Sequence, residues 1–169
     1  VSCLHPMLDI PEVATASTLL FINVDPKVSS VDALDSLRQM ARERGWIFLL
    51  NNCSQEALAD ALARVSHVVT NSFHGSYWGL LAGRAVTSLG YSSKFVSLFR
   101  IMGIDTEALI PVRRGSREAL VDAVRAVEND SRAVRLGEAS AVRKAFRERN
   151  LSFANTLEKS SLFVSVRAL

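Results

Sequence analysis

The sequence predicts an α/β fold, an open and mostly parallel sheet of Rossmann-like kind with helices on both faces. Three features of the chain lead to this prediction. Short runs of apolar, strand-forming residues recur, stretches with the spacing of amphipathic helices follow them, and the connections are short. Strands that are apolar throughout and alternate with helices are typical of parallel sheets buried on both faces.

The individual elements follow from this alternation. The apolar runs 18–24 and 46–50 predict the first two strands. Between them, a capping box at Ser29 and Asp32 predicts the start of a helix, and Gly45 predicts its end. The remaining predicted elements are, in chain order, a helix capped by Ser54, a strand over 67–70, a helix over 75–83, a strand over 85–89, a helix over 94–102, an edge strand over 108–112 and a helix over 117–127.

The chain is predicted to be one domain with a segment attached at each end. Residues 18–130 form the Rossmann-like domain, and residues 131–169 contribute C-terminal helices that pack on it, one or two of them between 131 and about 159. Residues 1–17 have no steady period and are interpreted as a connector. Because the sequence starts with Val1 and not with Met, we expect this connector to come from an N-terminal domain.

Length, composition and charge exclude several classes of protein. The chain has 169 residues, of which 49% are apolar and 22% charged, and its net charge is +3. These values are typical of globular domains. The small positive excess is spread along helical patterns, so no nucleic-acid binding is predicted. No apolar run approaches the roughly 20 residues that span a bilayer, and the N-terminus lacks the features of a secretory signal.

Cysteine and histidine content indicates neither a disulfide framework nor a metal centre. The two cysteines, Cys3 and Cys53, favour a reducing, cytoplasmic compartment. Together with His5, His67 and His74 they form no C-x-x-C or H-x-x-x-H pair, so no metal site is predicted. The sequence also contains no nucleophile elbow, Walker loop or GxGxxG motif, and no cofactor is predicted.

Two strands that follow each other in the chain end in polar loops. Ligands of parallel α/β sheets gather beyond the carboxyl ends of the strands, and the start of a helix there suits a phosphate or a carboxylate. The loops 70–76 and 90–94 are such exits, and adjacent strands would bring them together. The candidate site residues in them are Thr70, Asn71, Ser72, His74, Gly75, Ser76, Tyr91, Ser92, Ser93 and Lys94.

Several of these residues also have a purely structural interpretation. Gly75, Gly79 and Gly83 form a bare stripe along the predicted helix, which allows either tight packing on the sheet or room for a ligand. A single histidine is more often a satisfied core residue than a catalyst, and a single lysine after a serine is more often solvated. His74 and Lys94 therefore keep both interpretations.

The segment Val68-Val-Thr-Asn-Ser-Phe-His-Gly75, followed by an apolar glycine-bearing helix, a strand and Tyr91-Ser-Ser-Lys94, resembles the polysaccharide pyruvyl transferase family. The resemblance is specific over residues 65–99. It implies a two-domain architecture like that of GT-B glycosyltransferases, with this chain as the C-terminal half. The implied reaction moves an enolpyruvyl group from phosphoenolpyruvate to a saccharide acceptor, which can be lipid-linked, in cell-surface polysaccharide biosynthesis. The domain alone is expected to fold but not to catalyse.

The resemblance also implies roles for individual residues. His74 falls on the family's motif histidine and would be the general acid, while Lys94 and the N–H groups of Gly75 and Ser76 would hold phosphate. Many family members carry an arginine two residues before the histidine, where this sequence has Ser72. Arg84 and Arg100 are candidates to replace that charge.

Two other functions remain open on the sequence alone. One is a GT-B-type glycosyltransferase domain that binds a nucleotide sugar. The other is a non-catalytic domain of the same fold. The expected location is the cytoplasm, with peripheral association at the inner membrane as an option for an enzyme that acts on lipid-linked sugars.

Overall fold

The computed structural model describes residues 17–114, 116–129 and 132–137, together with residues 141, 142, 144, 145 and 148. Within them, five strands form one open sheet in which every neighbouring pair is parallel. The strands are β1 (Thr18–Ile22), β2 (Ile47–Leu50), β3 (His67–Thr70), β4 (Ala85–Gly90) and β5 (Ile110–Pro111). Their order across the sheet is β2-β1-β3-β4-β5. The predicted α/β fold with an open parallel sheet is confirmed.

Helices cover both faces of this sheet. The helices are α1 (Val31–Glu43), α2 (Gln55–Arg64), α3 (Phe73–Leu81), α4 (Ser93–Ile101) and α5 (Arg117–Ala126). The helices α2, α3 and α4 share one apolar core, and α1 and α5 share the other. In the sheet, β1 lies between β2 and β3, so the connection from β1 to β2 runs in the opposite direction to the later connections. Since such connections are right-handed, α1 lies on the face opposite to α2, α3 and α4.

The residues of β1 show why the strands are apolar throughout. Leu19 and Phe21 pack in the core beneath α2, α3 and α4, whereas Leu20 and Ile22 pack in the core beneath α1 and α5. All four are at most 2% exposed. Successive side chains of a strand point to opposite faces, and here both faces are covered.

Two serine caps set the starts of the first two helices. Ser54 caps α2 as predicted, because its side chain accepts a hydrogen bond from the N–H of Ala57 at 3.1 Å. The cap of α1 is Ser30, which accepts from the N–H of Ala33, and the prediction of Ser29 was wrong by one residue. Ser29 is instead buried below the helix start.

Helix α3 begins and ends two residues earlier than predicted. It begins at Phe73 because Ser72 is its N-cap. It ends at Leu81 because Gly83 has a φ of 71°, a left-handed conformation that glycine adopts at little cost. The N–H of Gly83 donates to the carbonyl of Leu80 and that of Arg84 to the carbonyl of Gly79, which closes the helix end.

The start of the C-terminal segment differs from the prediction. Residues 132–137 are not helical, because Val134 forms an antiparallel bridge with Val86 through two main-chain hydrogen bonds of 2.8 and 3.0 Å. Most of the helical region expected up to residue 159, and the connector expected over 1–17 apart from Ser17, lie outside the described residues.

In the described part of the chain, no helix has both the length and the apolar character needed to cross a lipid bilayer.

Candidate functional site

The exits of β3 and β4 lie side by side at the carboxyl edge of the sheet. The two strands are adjacent, with Thr70 opposite Ser88 in the register. Helices α3 and α4, which begin at these exits, contact each other and belong to the same core. The predicted juxtaposition of the two polar loops is therefore confirmed.

His74 is an exposed residue in the first turn of α3. Its imidazole meets the ring of Phe73 edge-on, with 5.7 Å between the centroids. No group among the described residues forms a hydrogen bond with it. His74 is thus not a core histidine, and both ring nitrogens can reach a ligand.

The start of α4 contributes a lysine and two hydroxyl groups. Lys94 is exposed and forms no ion pair with a described acid. Ser92 is the N-cap of α4, yet its side chain makes no capping hydrogen bond. Within the described part of the chain, the hydroxyls of Ser92 and Ser93 have no partner, so they remain available to a ligand.

A row of aromatic rings joins the two helix starts. The row begins with His74 and its neighbour Phe73. The centroids of the Phe73 and Phe95 rings are 6.3 Å apart, and those of Phe95 and Tyr91 are 5.4 Å apart. Each neighbouring pair is edge-to-face, an arrangement that aromatic quadrupoles favour. His74 and Tyr91 therefore lie at the two ends of one packed surface.

Two of the predicted binding residues, Thr70 and Ser76, use their hydroxyls for structural roles instead. The buried Thr70 hydroxyl donates to the carbonyl of Phe21 at 2.6 Å and accepts from the N–H of Ser72 at 2.9 Å. The buried Ser76 hydroxyl bonds to the carbonyl of Ser72 and to the hydroxyl of Ser88. These groups hold α3 against the sheet and are not exposed to a ligand.

The helix start offers different N–H groups from those predicted. The N–H of Gly75 donates to the side chain of Ser72, and the N–H of Ser76 donates to the carbonyl of Ser72. Both belong to the cap, so neither is available to a phosphate. The preceding N–H groups, of Phe73 and His74, have no partner among the described residues.

The glycine stripe of α3 serves close packing. A Cβ atom on Gly75 would lie 2.5 Å from Cδ1 of Phe21 and 2.5 Å from Oγ1 of Thr70. A Cβ on Gly79 would lie 2.9 Å from Cγ2 of Val86. Of the two interpretations left open by the sequence, tight packing on the sheet is the one that the structure has.

Sequence reasoning missed two asparagines that act with Asn71. Three consecutive N–H groups after β1, those of Asn23, Val24 and Asp25, donate to the side-chain oxygens of Asn71, Asn51 and Asn23 respectively, each at 2.9 Å. The three asparagines follow β1, β2 and β3, so each of these strands exits into the same network. A sequence signal existed, because an asparagine directly follows the predicted strands 46–50 and 67–70, and another lies near the end of the predicted strand 18–24.

Neither arginine expected to replace the missing motif charge lies at this edge. Arg84 is 4% exposed, precedes β4 and donates to the carbonyl of Leu62. Arg100 is in the last turn of α4, which runs back toward the amino edge. The structure instead places Arg114, which follows β5, over the ring of Tyr91, with its guanidinium carbon 6.0 Å from the centroid.

Two other reactive side chains, those of His67 and Cys53, are favoured in their neutral forms by burial. His67 begins β3 at the amino edge, and its Nε2 is 2.9 Å from the hydroxyl of Thr87. Burial, and to a smaller degree the charge of Arg135, lowers the pKa of His67. Burial raises the pKa of the Cys53 thiol despite a backbone hydrogen bond, which disfavours the thiolate that a nucleophile requires.

An open groove of about 650 Å³ lies between α1 and α5, and none of the candidate residues lines it. It is lined by side chains of both charges, including Glu43, Arg44 and Arg125.

In comparisons with known proteins, no protein-family model and no curated protein matches the sequence. The candidate site is therefore defined by its own geometry: an imidazole, an ammonium and two hydroxyl groups at adjoining helix starts.

Proposed function

We propose that this chain is the C-terminal domain of a polysaccharide pyruvyl transferase, which moves pyruvate from phosphoenolpyruvate to a sugar. The observation that carries the proposal is the exposed His74 in the first turn of α3, beside the exit that leads to Lys94. The resemblance of Val68–Gly75 and Tyr91–Lys94 to that family also supports the proposal. A ligand with a phosphate and a carboxylate suits an edge with helix N-termini and a lysine that pairs with no described acid.

The reaction needs a general acid that protonates a carbon atom, and His74 is suited to that role because an imidazole ring can both donate and accept a proton. His74 donates a proton to the methylene carbon of phosphoenolpyruvate, and the adjacent carbon becomes electrophilic. Two acceptor hydroxyls form C–O bonds to that carbon while its bond to phosphate breaks. Of the two hydroxyl protons, one returns to His74 and the other goes to phosphate, which leaves a pyruvate ketal on the sugar.

The donor's phosphate is assigned to Lys94 and to the free N–H groups of Phe73 and His74. An ammonium acts as a point charge for a phosphate, and the N–H groups add directed hydrogen bonds. Ser92 and Ser93 supply further donors at the start of α4. This assignment replaces the N–H groups of Gly75 and Ser76, which the cap already uses.

The proposal extends to the rest of the enzyme. A second domain, preceding this one, would form the other wall of the cleft and bind the saccharide acceptor. A lipid-linked acceptor would bring the enzyme to the cytoplasmic surface of the inner membrane.

Binding of phosphoenolpyruvate to the 169-residue chain tests the identity of the donor substrate. We expect phosphoenolpyruvate to shift the NMR signals of the Phe73, His74 and Lys94 amides, and Lys94→Ala to weaken this binding. Lys144→Ala, which removes another exposed lysine, is the matched control and should leave binding unchanged. Saturable binding of UDP-glucose at these amides, without binding of phosphoenolpyruvate, would instead support the glycosyltransferase function.

A further inference from the structure

We propose that Tyr91 and Arg114 form an anion-binding subsite at the exits of β4 and β5, and that Asn23 positions the Tyr91 hydroxyl as its donor. The anion is the carboxylate or phosphate of the donor substrate, so the identity of the ligand rests on the proposed function. The subsite supplies the positive charge that the motif lacks at Ser72.

The orientation of the Asn23 side chain is determined by its partners. Its Oδ1 accepts hydrogen bonds from the N–H of Asp25 at 2.9 Å and from Nδ2 of Asn51 at 3.0 Å. A backbone N–H can only donate, so the atom facing it must be the oxygen. The orientation of Asn51 is determined in the same way, because its Oδ1 accepts from the N–H of Val24. The Nδ2 group of Asn23 is therefore the atom that faces Tyr91.

This orientation decides how the Tyr91 hydroxyl can be used. Asn23 Nδ2 donates to the Tyr91 oxygen at 3.1 Å. A phenol has one proton and accepts at its oxygen, so a Tyr91 that accepts from Asn23 keeps its own proton for another partner. No described residue accepts that proton. Tyr91 is half-buried, with its ring held against Phe95, and its O–H is thus a prepared donor to a ligand.

Arg114 places a full positive charge beside that donor. It is exposed, forms no ion pair with a described acid, and lies over the Tyr91 ring. A guanidinium held over an aromatic face keeps its N–H groups free for a carboxylate or a phosphate, which it can bind with two parallel hydrogen bonds.

The charges at this edge also favour an anion. The described loops that leave the five strands, 23–30, 51–54, 71–72, 91–92 and 112–114, contain one carboxylate, Asp25, and three cations, Lys27, Arg113 and Arg114. One Asp25 oxygen already accepts from the N–H of Lys27. The strand order also puts the topological switch between β1 and β3, beside the loop that holds Asn23, and ligands of such sheets bind there.

The subsite is tested by titrating the 169-residue chain with phosphoenolpyruvate and, separately, with inorganic phosphate, using NMR or calorimetry. We expect Tyr91→Phe and Arg114→Gln each to raise the Kd for phosphoenolpyruvate about tenfold, as for the loss of a hydrogen bond to a charged group. Tyr77→Phe and Arg100→Gln are the matched controls, since they remove another phenol and an exposed guanidinium in the last turn of α4, away from this edge. Both controls should change Kd less than twofold.

The positioning role of Asn23 needs a double-mutant cycle, because Asn23→Asp removes the donor to Tyr91 and also adds a negative charge. If Asn23 acts through Tyr91, then Asn23→Asp raises the Kd much less in the Tyr91→Phe background than in the wild type. Equal effects in both backgrounds would show a purely coulombic effect and overturn the positioning role. Thermal unfolding of each variant verifies that the loop remains folded.

The outcomes separate this subsite from the proposed function. If phosphoenolpyruvate binds with dependence on Lys94 while Tyr91→Phe and Arg114→Gln leave its Kd unchanged, the subsite is wrong and the proposed function stands. If inorganic phosphate binds with dependence on Tyr91 and Arg114 but phosphoenolpyruvate does not bind, the subsite stands and the proposed donor is wrong. Failure of both anions to bind overturns the subsite.

Discussion

At the scale of single residues, the position of a side chain relative to its helix start decides whether it can do chemistry. Ser72 and Ser76 lie on the side of α3 that faces the sheet, and their hydroxyls hold the helix in place. His74 lies between them in sequence but is exposed to solvent. The same short motif therefore contains both the structural support and the candidate acid.

Replacing His74 with glutamine tests its role as general acid. In the complete enzyme, we expect His74→Gln to lower turnover by about 10²- to 10⁴-fold, the usual contribution of a positioned acid or base. The free energy of unfolding should change little, since the side chain is exposed and has no hydrogen-bond partner among the described residues. Phosphate release from phosphoenolpyruvate and thermal unfolding measure the two effects. Near-full turnover in this variant would contradict the assignment.

His67 should make the stability of the domain depend on pH. Burial lowers its pKa in the folded state, so the unfolded state binds a proton more readily. Stability is therefore highest above the unfolded pKa of about 6.5 and falls as the pH drops from there toward the folded pKa. Urea unfolding between pH 8 and pH 5 should show a smaller loss for His67→Gln than for the wild type. An identical pH dependence in the two proteins would contradict this contribution.

At the scale of the element, two glycines let α3 pack closely against the sheet, in addition to its buried apolar residues Trp78, Leu80 and Leu81. Gly75 and Gly79 bring the helix backbone close to the side chains of Phe21 and Val86. Helix propensity would favour alanine at both positions. Glycine fits both positions because the space for a methyl group is already occupied.

The substitution Gly75→Ala should therefore destabilise the fold despite its better helix propensity. Its Cβ would lie 2.5 Å from Phe21 Cδ1, and overpacking of this kind costs about 1–3 kcal/mol. Gly137→Ala is the matched control, because nothing lies within 4 Å of its Cβ position, and it should change stability by about 0.5 kcal/mol or less. Urea denaturation of both variants measures the difference; equal stability would show that the sheet accommodates the methyl group.

At the scale of the whole molecule, the asparagine network joins strands that are far apart in the chain. Asn71 accepts from the N–H of Asn23 and donates to Ser29, which links the exits of β3 and β1. Asn51 adds the exit of β2, and Tyr91 adds that of β4. Four of the five strand exits are thereby held in one arrangement around the proposed subsite.

Loss of Asn71 should weaken this arrangement. Asn71→Ala would leave the N–H of Asn23 and the buried hydroxyl of Ser29 without their present partners, at a cost of about 1–3 kcal/mol for an unsatisfied buried group. Asn52→Ala, at an exposed neighbouring position, is the control and should be nearly neutral. Chemical denaturation gives the stability of both, and hydrogen exchange at the N–H of Asn23 should be faster only in Asn71→Ala.

Between Thr18 and Ala126, the sequence alone determined the order and type of the strands and α-helices, because apolar runs and helical spacing are local patterns. It also located the two polar exits, since turn and cap residues follow the strands directly. Only the tertiary structure decided which polar groups are used within the fold and which are free. The contacts that decide this join residues far apart in the chain, such as Asn23 with Tyr91 across 68 positions and Asn71 with Ser29 across 42. No local pattern specifies such pairs, because they arise only when parallel strands bring their carboxyl ends to one edge.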